Sequence, residues 1–284
     1  MLPVSTEMTE ISELCRKDFN WFRRFIETET GIQIRENKYV FMYNRLFKRV
    51  KELGLKSIPE YRELLESRSK RSNEKEFLFE EIVISESSFF RYEAQFDCFR
   101  EKVLPDLVEN RVGMGNHVTI LSMGSSRGQE IYSVAMLVNE DLSLDQRLFV
   151  RLYAVDISSR MLQEAVEAYY PDSDVKTVPP IYLDRYFIKE NGGYRILPRI
   201  AGTVKFSKFN LIHENWRQFK SADVIFCRNT IIYFGDQIKR KIVKRMSSSL
   251  RRGGYLILGH SEMIDASEFG LEHLGNNIYR KGRS

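Results

Sequence analysis

A short glycine turn between an apolar stretch and a helical pattern is the first feature of this sequence that could bind a ligand. Residues 118–121 are mostly apolar, residues 124–128 form a polar turn, and apolar residues recur at helical spacing from Gln129 onward. This order predicts a buried strand, a turn and a helix, which is the first half of a nucleotide-binding βαβ unit. Glycines let the backbone approach a ligand closely, and the helix N-terminus offers unpaired N–H groups.

The composition of this turn favours S-adenosylmethionine over a dinucleotide. The turn lacks the G-x-G-x-x-G spacing of dinucleotide-binding sequences, and Glu130 stands where a pyrophosphate would lie, so like charges would repel. A ligand that combines adenosine with a cationic centre fits better. An ordinary strand-to-helix turn without a ligand is the alternative.

Three polar residues follow other apolar stretches. Asp156 ends residues 148–156, where an acidic side chain can accept both ribose hydroxyls. Alternatively, Asp156 only caps the helix predicted over residues 158–169. Asn229 and Tyr233 follow residues 223–227, which are predicted to form a buried strand. Because ligands of open α/β sheets bind beyond the carboxyl ends of strands, both are candidates for the site, and a packed core aromatic is the alternative for Tyr233.

The rest of the chain divides into a helical part and a mixed part. Residues 8–83 carry apolar side chains at helical spacing and no strand pattern, which predicts a small helical domain. Within it, a helix is predicted over residues 39–53, and another begins after Ser57 as N-cap. Residues 175–203 interrupt the alternation of strands and helices, which predicts an antiparallel β insert with a hairpin near Gly192.

Composition excludes several classes of protein. The 284 residues, 43% of them hydrophobic, can build one or two domains with a sizeable core. The sequence contains no apolar run near 18 residues and begins with acidic residues, so we expect no membrane insertion, no signal peptide and a cytoplasmic location. The three cysteines and four histidines lack metal-ligand spacing, so we expect no disulfide frame and no metal.

One stretch of the helical part is strongly basic. It starts at Arg35, ends at Lys56 and holds seven basic and two acidic residues, a net charge of +5 equal to that of the whole chain. One interpretation is an ordinary solvated helix face. The other is a docking surface for an acidic partner.

Separated motifs agree with one known family. They read SSFFR at residues 87–91, GSSRGQEIYS at 124–133, AVDI at 154–157, FNL at 209–211, IFCRNTIIYF at 225–234 and GHSE at 259–262. With these motifs in family order, the chain resembles the CheR family of chemotaxis-receptor methyltransferases. The resemblance implies an α/β fold: a class I S-adenosylmethionine-dependent methyltransferase sheet, Rossmann-like, with an N-terminal helical domain and a small inserted antiparallel β-subdomain. It implies a helical domain at residues 1–83, a linker at 84–100 that contributes to the active site, and a methyltransferase domain at 101–284 with an insert at about 175–203.

The resemblance also implies roles for individual residues. Arg91 and Tyr233 are the implied catalytic residues, with Tyr233 beside the transferred methyl group. Arg91 can hold either the acceptor carboxylate or the methionyl carboxylate of the cofactor, and both alternatives stay open here. The implied cofactor-binding residues are Ser85, Ser87, Arg91, Gly124, Glu130, Asp156, Asn210, Leu211, Asn229 and Thr230. Four positions depart from the family pattern: Ser85 and Ser87 stand where the family has asparagine and threonine, and Gln129 and Ile131 where it has glutamate and proline. Ser85 loses an amide contact, so cofactor binding is expected to be weaker.

The function implied by the resemblance is protein-glutamate O-methylation. S-adenosyl-L-methionine would methylate glutamate carboxylates on chemoreceptors for chemotaxis adaptation, leaving S-adenosyl-L-homocysteine. The alternatives are a nucleic-acid methyltransferase and a non-catalytic interaction protein on the same fold. The former would need an Asn/Asp-Pro-Pro-Tyr-type motif where this chain has Cys227, Arg228, Asn229 and Thr230.

The implied partner is the cytoplasmic domain of methyl-accepting chemoreceptors, bound through the basic stretch from Arg35 to Lys56, with no nucleic acid. We expect a monomer. Some family members also grip a pentapeptide at the receptor tail by adding a strand to the β insert. Here the hairpin is compact, and Pro198 is expected to block an edge strand, so we expect no dependence on the receptor-tail pentapeptide.

Overall fold

The structure is a computed structural model that describes residues 4–67, 71–82 and 86–282, with side chains of residues 4–15 and 71–73 outside the description. The chain forms two compact units. The helical unit contains residues 1–84 and the segment Tyr233–Gly235, and the α/β unit contains residues 85–232 and 236–284.

The helical unit is built from four α-helices, as the apolar spacing predicts. They are α1 (Val4–Thr30), α2 (Tyr39–Glu52), α3 (Ile58–Glu66) and α4 (Arg71–Ile82). Gly31, with φ of +73°, follows the end of α1, and the Ser57 hydroxyl accepts the N–H of Glu60 at 3.3 Å, as expected of an N-cap. Helix α4 begins at Arg71, six residues before the apolar pattern that starts at Phe77. Its first turns are polar, so apolar spacing does not reveal where the helix begins.

A buried ion pair joins three helices of this unit. Glu74 on α4 is 8% exposed, and its two oxygens accept hydrogen bonds from Arg49 on α2 at 2.7 and 2.8 Å. Tyr61 on α3 donates to the same carboxylate at 2.8 Å. Burial acts to raise the pKa of Glu74, but the bonds from Arg49 and Tyr61 outweigh it and lower that pKa. Arg49 therefore belongs to the interior of the unit.

The α/β unit contains a seven-stranded sheet in the order β6-β2-β1-β7-β8-β10-β9. Its strands are β1 (Val118–Met123), β2 (Val150–Asp156), β6 (Val204–Lys208), β7 (Ala222–Cys227), β8 (Leu250–Leu258), β9 (Leu271–His273) and β10 (Ile278–Lys281). The first five strands in that order are parallel, whereas β10 is antiparallel to β8 and β9. This arrangement confirms the predicted class I methyltransferase sheet.

The helices of this unit connect the strands or precede the sheet. They are α5 (Glu93–Cys98), a π-helical turn (Phe99–Val103), α6 (Leu104–Asn110), α7 (Gln129–Asp141), α8 (Leu144–Arg147), α9 (Ser159–Glu167), α10 (Pro180–Tyr186), α11 (Pro198–Ala201) and α12 (Asp236–Ser249). Strand β2 starts two residues later than predicted, because residues 148 and 149 form the turn that follows α8. Ser143 begins that helix through a capping box with Gln146.

The β insert is a separate three-stranded antiparallel sheet in the order β3-β5-β4. Its strands are β3 (Tyr169–Pro171), β4 (Phe187–Glu190) and β5 (Gly193–Ile196). The hairpin turns at Asn191 and Gly192, with Gly192 at φ of +76°, as predicted. The insert begins earlier than residue 175 because Tyr169 pairs with Arg195.

The expectation that Pro198 blocks an edge of the insert is wrong. Pro198 follows β5, which is the central strand, and it occupies the first turn of α11, where a missing N–H costs nothing. Across the residues with described placement, no helix is both long enough and apolar enough to cross a membrane.

Candidate functional site

The polar residues singled out in the sequence follow the carboxyl ends of neighbouring strands. Asn210, Asp156, Gly124 and Asn229 come at or after the ends of β6, β2, β1 and β7, which are adjacent and parallel. Carboxyl ends of parallel strands meet at one edge of a sheet, and ligands of α/β folds bind there. The structure therefore brings these four residues to a common edge.

The glycine turn is held close to the neighbouring strand end. Gly124 has φ of +75°, and a Cβ built on it would lie 2.3 Å from the Thr230 hydroxyl oxygen, so no larger residue fits. The N–H groups of Gly124 and Ser125 both donate to the Val155 carbonyl, at 2.8 and 3.0 Å. Gly128, at φ of +83°, then begins helix α7. The turn is thereby fixed against β2 and β7.

Asp156 braces the turn through its carboxylate. One oxygen accepts the N–H of Ser126 at 2.8 Å, and the other accepts the N–H of Ser158 at 3.0 Å. Burial raises the pKa of Asp156, and these backbone bonds oppose the rise. The N-cap of α9 is Ser158, whose hydroxyl accepts the N–H of Met161 at 3.1 Å. Asp156 therefore does not cap that helix itself, and its carboxylate, which also interacts with the N–H of Ile157, retains acceptor capacity for a ligand.

Glu130, at the start of α7, forms a buried pair with a cation that the sequence analysis missed. Its carboxylate accepts the hydroxyl of Ser122 at 2.8 Å and lies 3.5 Å from Nη1 of Arg228, with side-chain exposures of 12% and 3% for Glu130 and Arg228. Burial raises the pKa of Glu130 and Arg228 opposes the rise, while burial lowers the pKa of Arg228. The feature of the sequence that could have indicated Arg228 is its position directly after the stretch that forms β7.

The same arginine contacts the linker before α5. Nη2 of Arg228 donates to the carbonyl of Arg91, and its guanidinium lies 5.4 and 5.0 Å from the ring centroids of Tyr92 and Phe96. Arg91 donates from Nη1 to the carbonyl of Glu86 at 3.2 Å. The linker is thus attached to the sheet edge at Arg91.

Helix α7 contacts the linker at two further points. Gln129 donates from its amide to the carbonyl of Ser87 at 3.4 Å, and the N–H of Phe90 donates to the hydroxyl of Ser133 at 3.0 Å. Gln129, one of the departures from the family pattern, therefore has a structural contact of its own. Ser85, predicted to bind the cofactor, lies outside the described residues.

The remaining predicted cofactor residues, Asn210, Leu211 and Thr230, lie in the loops after β6 and β7. The Asn210 side-chain oxygen accepts the N–H of Ile212 at 2.9 Å, which folds the loop after β6, and Leu211 is 8% exposed. The Thr230 hydroxyl lies within hydrogen-bond distance of two carbonyl oxygens, 3.2 Å from that of Arg228 and 3.3 Å from that of Met123. Tyr233 ends the short 3₁₀ helix Ile231–Tyr233 and groups with the helical unit, where its carbonyl accepts the N–H of Gln33 at 2.7 Å. Its place beside a methyl group stays a prediction.

Glu262 is a second residue that the sequence analysis missed. It follows β8, is 3% exposed and accepts backbone N–H groups from the loop after β7. Burial raises the pKa of Glu262, and the backbone N–H bonds oppose the rise. Its signal was the GHSE motif, to which no role was attached.

Several buried polar atoms along the edge provide a test of whether a cofactor fits. Ser125 Oγ, Gln129 Oε1 and Asn229 Oδ1 are buried and have no hydrogen-bond partner among the residues that the structure describes. Buried acceptors without partners are rare in folded proteins, so a ligand with N–H or O–H donors is expected to complete them. The amino group, adenine and ribose of S-adenosylmethionine carry such donors, and Glu130 can face its cationic part. The site fits that cofactor. No group of histidine, cysteine or acidic residues suited to a metal ion occurs within the described parts of the chain.

Comparison with known proteins identifies the family. Residues 85–279 match the family model described as "CheR methyltransferase, SAM binding domain", and residues 17–83 match "CheR methyltransferase, all-alpha domain". The chain is 30% identical to the chemotaxis protein methyltransferase of Borreliella burgdorferi, covering 99% of this chain and 96% of that protein. It is 32% identical to the chemotaxis protein methyltransferase Cher2 of Pseudomonas putida, over 87% and 90% of the two chains, and 29% identical to the Escherichia coli protein, over 96% and 93%. This chain therefore belongs to the CheR methyltransferase family.

Proposed function

We propose that this protein transfers a methyl group from S-adenosylmethionine to glutamate side chains of chemoreceptors. The observation that carries the proposal is the set of buried acceptors without partners around the glycine turn, in a chain of the CheR methyltransferase family. Relatives named chemotaxis protein methyltransferase support the link to chemotaxis. The cofactor supplies an electrophilic methyl group when it is bound.

Residues of the sheet edge would hold the cofactor. The two oxygens of Asp156 would accept the ribose hydroxyls while keeping their backbone bonds, and Asn210 and Leu211 would line the cofactor beside β6. Asn229 Oδ1 and Gln129 Oε1 would accept N–H donors. The Glu130 carboxylate, paired with Arg228, would lie on the cationic side. Ser87 and Arg91 would close the site from the linker.

Methyl transfer to a glutamate carboxylate requires that the carboxylate be oriented and stripped of water. It requires no general base. A glutamate carboxylate is already ionised at neutral pH. The protein therefore has to hold the acceptor oxygen in line with the methyl group and remove water from it. We assign the first task to Arg91, whose charged hydrogen bonds contribute about 1.5–3 kcal/mol each, and to the Tyr233 hydroxyl.

A methyl-transfer assay with three acceptors tests the proposal. Tritiated S-adenosylmethionine is incubated with the protein and with receptor membranes, RNA or DNA. We expect label only on receptor protein, released by mild base as expected for a glutamyl methyl ester. Label on nucleic acid would support the alternative methyltransferase, and no label on any acceptor would support a non-catalytic protein. The variants Arg91→Ala and Tyr233→Phe are expected to label more slowly than the parent.

The exposed basic face of α2 is the docking surface that we propose for the receptor. Lys48 has a side-chain exposure of 63%, Lys51 is exposed beside Phe47, and Val40 on the same helix is 65% exposed. Cations mixed with apolar side chains suit an acidic amphipathic helix. Arg49 does not belong to this surface, because it is bound to Glu74.

We propose further that the enzyme acts in the cytoplasm as a monomer and needs no receptor-tail peptide. The two-residue turn at Asn191 and Gly192 supports a compact insert. Titration of the tail peptide of a receptor from the same organism tests this proposal. Saturable binding tighter than about 10 μM, roughly 7 kcal/mol, would contradict it.

A further inference from the structure

A single buried carboxylate joins the loop after β7 to the turn after β8. Oε2 of Glu262 accepts the N–H groups of Gly259 and Asn229, both at 2.7 Å, and Oε1 accepts the N–H of Ile232 at 3.0 Å. The N–H of Glu262 itself donates to the Gly259 carbonyl at 2.9 Å. Hydrogen bonds to a charged acceptor are stronger than neutral ones, so Glu262 fixes both segments.

The backbone on both sides is fitted to this carboxylate. Asn229 has φ of +55°, in the left-handed region, which asparagine adopts more readily than most non-glycine residues but still at a cost unless its surroundings hold it. A Cβ on Gly259 would lie 2.6 Å from Glu262 Oε2 and 2.7 Å from the Asn229 nitrogen, so glycine alone lets the segments close. Asn277 donates from Nδ2 to the Gly259 carbonyl at 2.7 Å and supports the turn from the other side.

The side chain of Asn229 has no comparable anchor. Its Oδ1 is buried and without a hydrogen-bond partner in the described parts of the chain. We infer that Glu262 is a positioning residue for cofactor binding. It holds Asn229 in its left-handed conformation and so keeps the Asn229 amide oxygen available to the cofactor. This inference rests on the proposed role of Asn229 in binding the cofactor.

A double-mutant cycle separates positioning from general stability. Calorimetry measures the Kd of S-adenosylhomocysteine for the parent, Glu262→Ala, Asn229→Ala and the double variant, each checked for folding by circular dichroism. We expect each single variant to bind about tenfold more weakly. We expect the double variant to bind no more weakly than Asn229→Ala, because Glu262 has nothing left to position.

The variant Glu262→Gln tests the geometry with little loss of volume. With the amide oxygen in the place of Oε2, the bonds to Gly259 and Asn229 remain, and the NH₂ group meets the N–H of Ile232. Its affinity should therefore lie between those of the parent and Glu262→Ala. Exposed Glu272, on β9, gives the control Glu272→Gln, which should bind like the parent. If Glu262→Ala does not fold, Glu262→Gln takes its place in the cycle.

The outcomes distinguish this inference from the proposed function. Parent affinity in a folded Glu262→Ala, together with weakened binding by Asn229→Ala, overturns the positioning role and leaves the proposed function intact. Additive losses in the double variant overturn it as well, because Glu262 then acts independently of Asn229. Parent affinity in Asn229→Ala overturns the cofactor role of Asn229 and the inference with it.

Discussion

At the scale of single residues, Asp156 has the largest expected effect on cofactor binding. Its carboxylate braces the glycine turn at Ser126 and is expected to accept the ribose hydroxyls. Asp156→Ala should weaken S-adenosylhomocysteine binding by about 2–4 kcal/mol, because both sets of bonds are lost. Calorimetry measures the change, with exposed Asp184→Asn as the control. An affinity equal to that of the parent would remove Asp156 from the cofactor site.

Also at this scale, Arg228 should control the pH range of cofactor binding. Burial raises the pKa of Glu130, and Arg228 holds that rise in check. In Arg228→Met the cation is gone, so the pKa of Glu130 rises further and the carboxylate takes up a proton at higher pH. When the pH is lowered, binding of S-adenosylmethionine should therefore begin to weaken at a higher pH in Arg228→Met than in the parent.

The double variant Glu130→Gln/Arg228→Met is the control for that experiment. It has no carboxylate at residue 130. The weakening of cofactor binding at acidic pH that Arg228→Met shows should therefore be absent from the double variant. Affinity is measured by calorimetry at several pH values at which circular dichroism shows folded protein. The same acidic loss in both variants would show that another group causes it.

At the scale of elements, the Arg49–Glu74–Tyr61 contact should control the stability of the helical unit. The pKa of Glu74 is lowered in the folded protein, so its contribution to stability is fully present above the unfolded value of about 4.5 and is lost as pH falls through the folded value. Glu74→Gln should lower the free energy of unfolding near pH 7 by about 2–3 kcal/mol, a figure reduced for the partial exposure of Arg49.

Denaturant unfolding at pH 7 and below pH 4 measures this effect. The difference between the parent and Glu74→Gln should shrink at the lower pH, because the parent carboxylate is then being protonated too. Glu66→Gln, on the exposed end of α3, is the control and should change stability little at either pH. A difference that does not depend on pH would mean that Glu74 acts by packing alone.

Also at this scale, the sequence predicted elements whose signals are local and missed contacts between distant residues. The strand–turn–helix at Gly124, the cap at Ser57 and the hairpin at Gly192 depend on neighbouring residues, and the structure has each of them. The pairing of Arg49 with Glu74 joins residues 25 positions apart, and that of Glu130 with Arg228 is more distant still. Such contacts follow from tertiary packing, which apolar periodicity does not encode.

The β insert shows the same limit in a different form. Its hairpin was predictable because Asn-Gly favours a two-residue turn. The helix predicted over residues 158–169 extends one residue into β3, at Tyr169. Tyr169 belongs to a strand instead because β3 pairs with β5, more than 20 residues further along the chain. The position of β5 at the centre of the sheet was equally hidden, and the interpretation of Pro198 failed for that reason.

At the scale of the whole molecule, charge on α2 should govern encounter with the receptor. Reversal of Lys48 and Lys51 to glutamate should raise the KM for receptor and leave the Kd of the cofactor unchanged. The effect should diminish with added salt, because exposed charges are screened beyond about 10 Å at 0.1 M. Initial rates at several salt concentrations measure it. A KM insensitive to both changes would favour an ordinary solvated face.

Arg49 should be left out of any such charge reversal. A glutamate there would remove both hydrogen bonds to Glu74 and bring two like charges close together. This should destabilise the helical unit and so raise KM for an unrelated reason. Arg45→Glu is also a poor choice, since Arg45 pairs with Glu81 at 2.7 Å. The two lysines are the informative positions because their changes leave the Arg49–Glu74 and Arg45–Glu81 pairs intact. Lys48 loses only an exposed pair with Glu52 at 3.6 Å, which contributes little to stability.

The contacts of Arg228 have a consequence for how this site can vary among relatives. One cation serves the carboxylate of Glu130, the carbonyl of Arg91 and two aromatic rings at once. A change of Glu130 alone would leave a buried cation without its partner carboxylate, and a change of Arg228 alone would leave a buried carboxylate without its partner cation. In an alignment of many relatives, residues 130 and 228 should therefore covary, with replacements at the two positions occurring together far more often than independent substitution would produce.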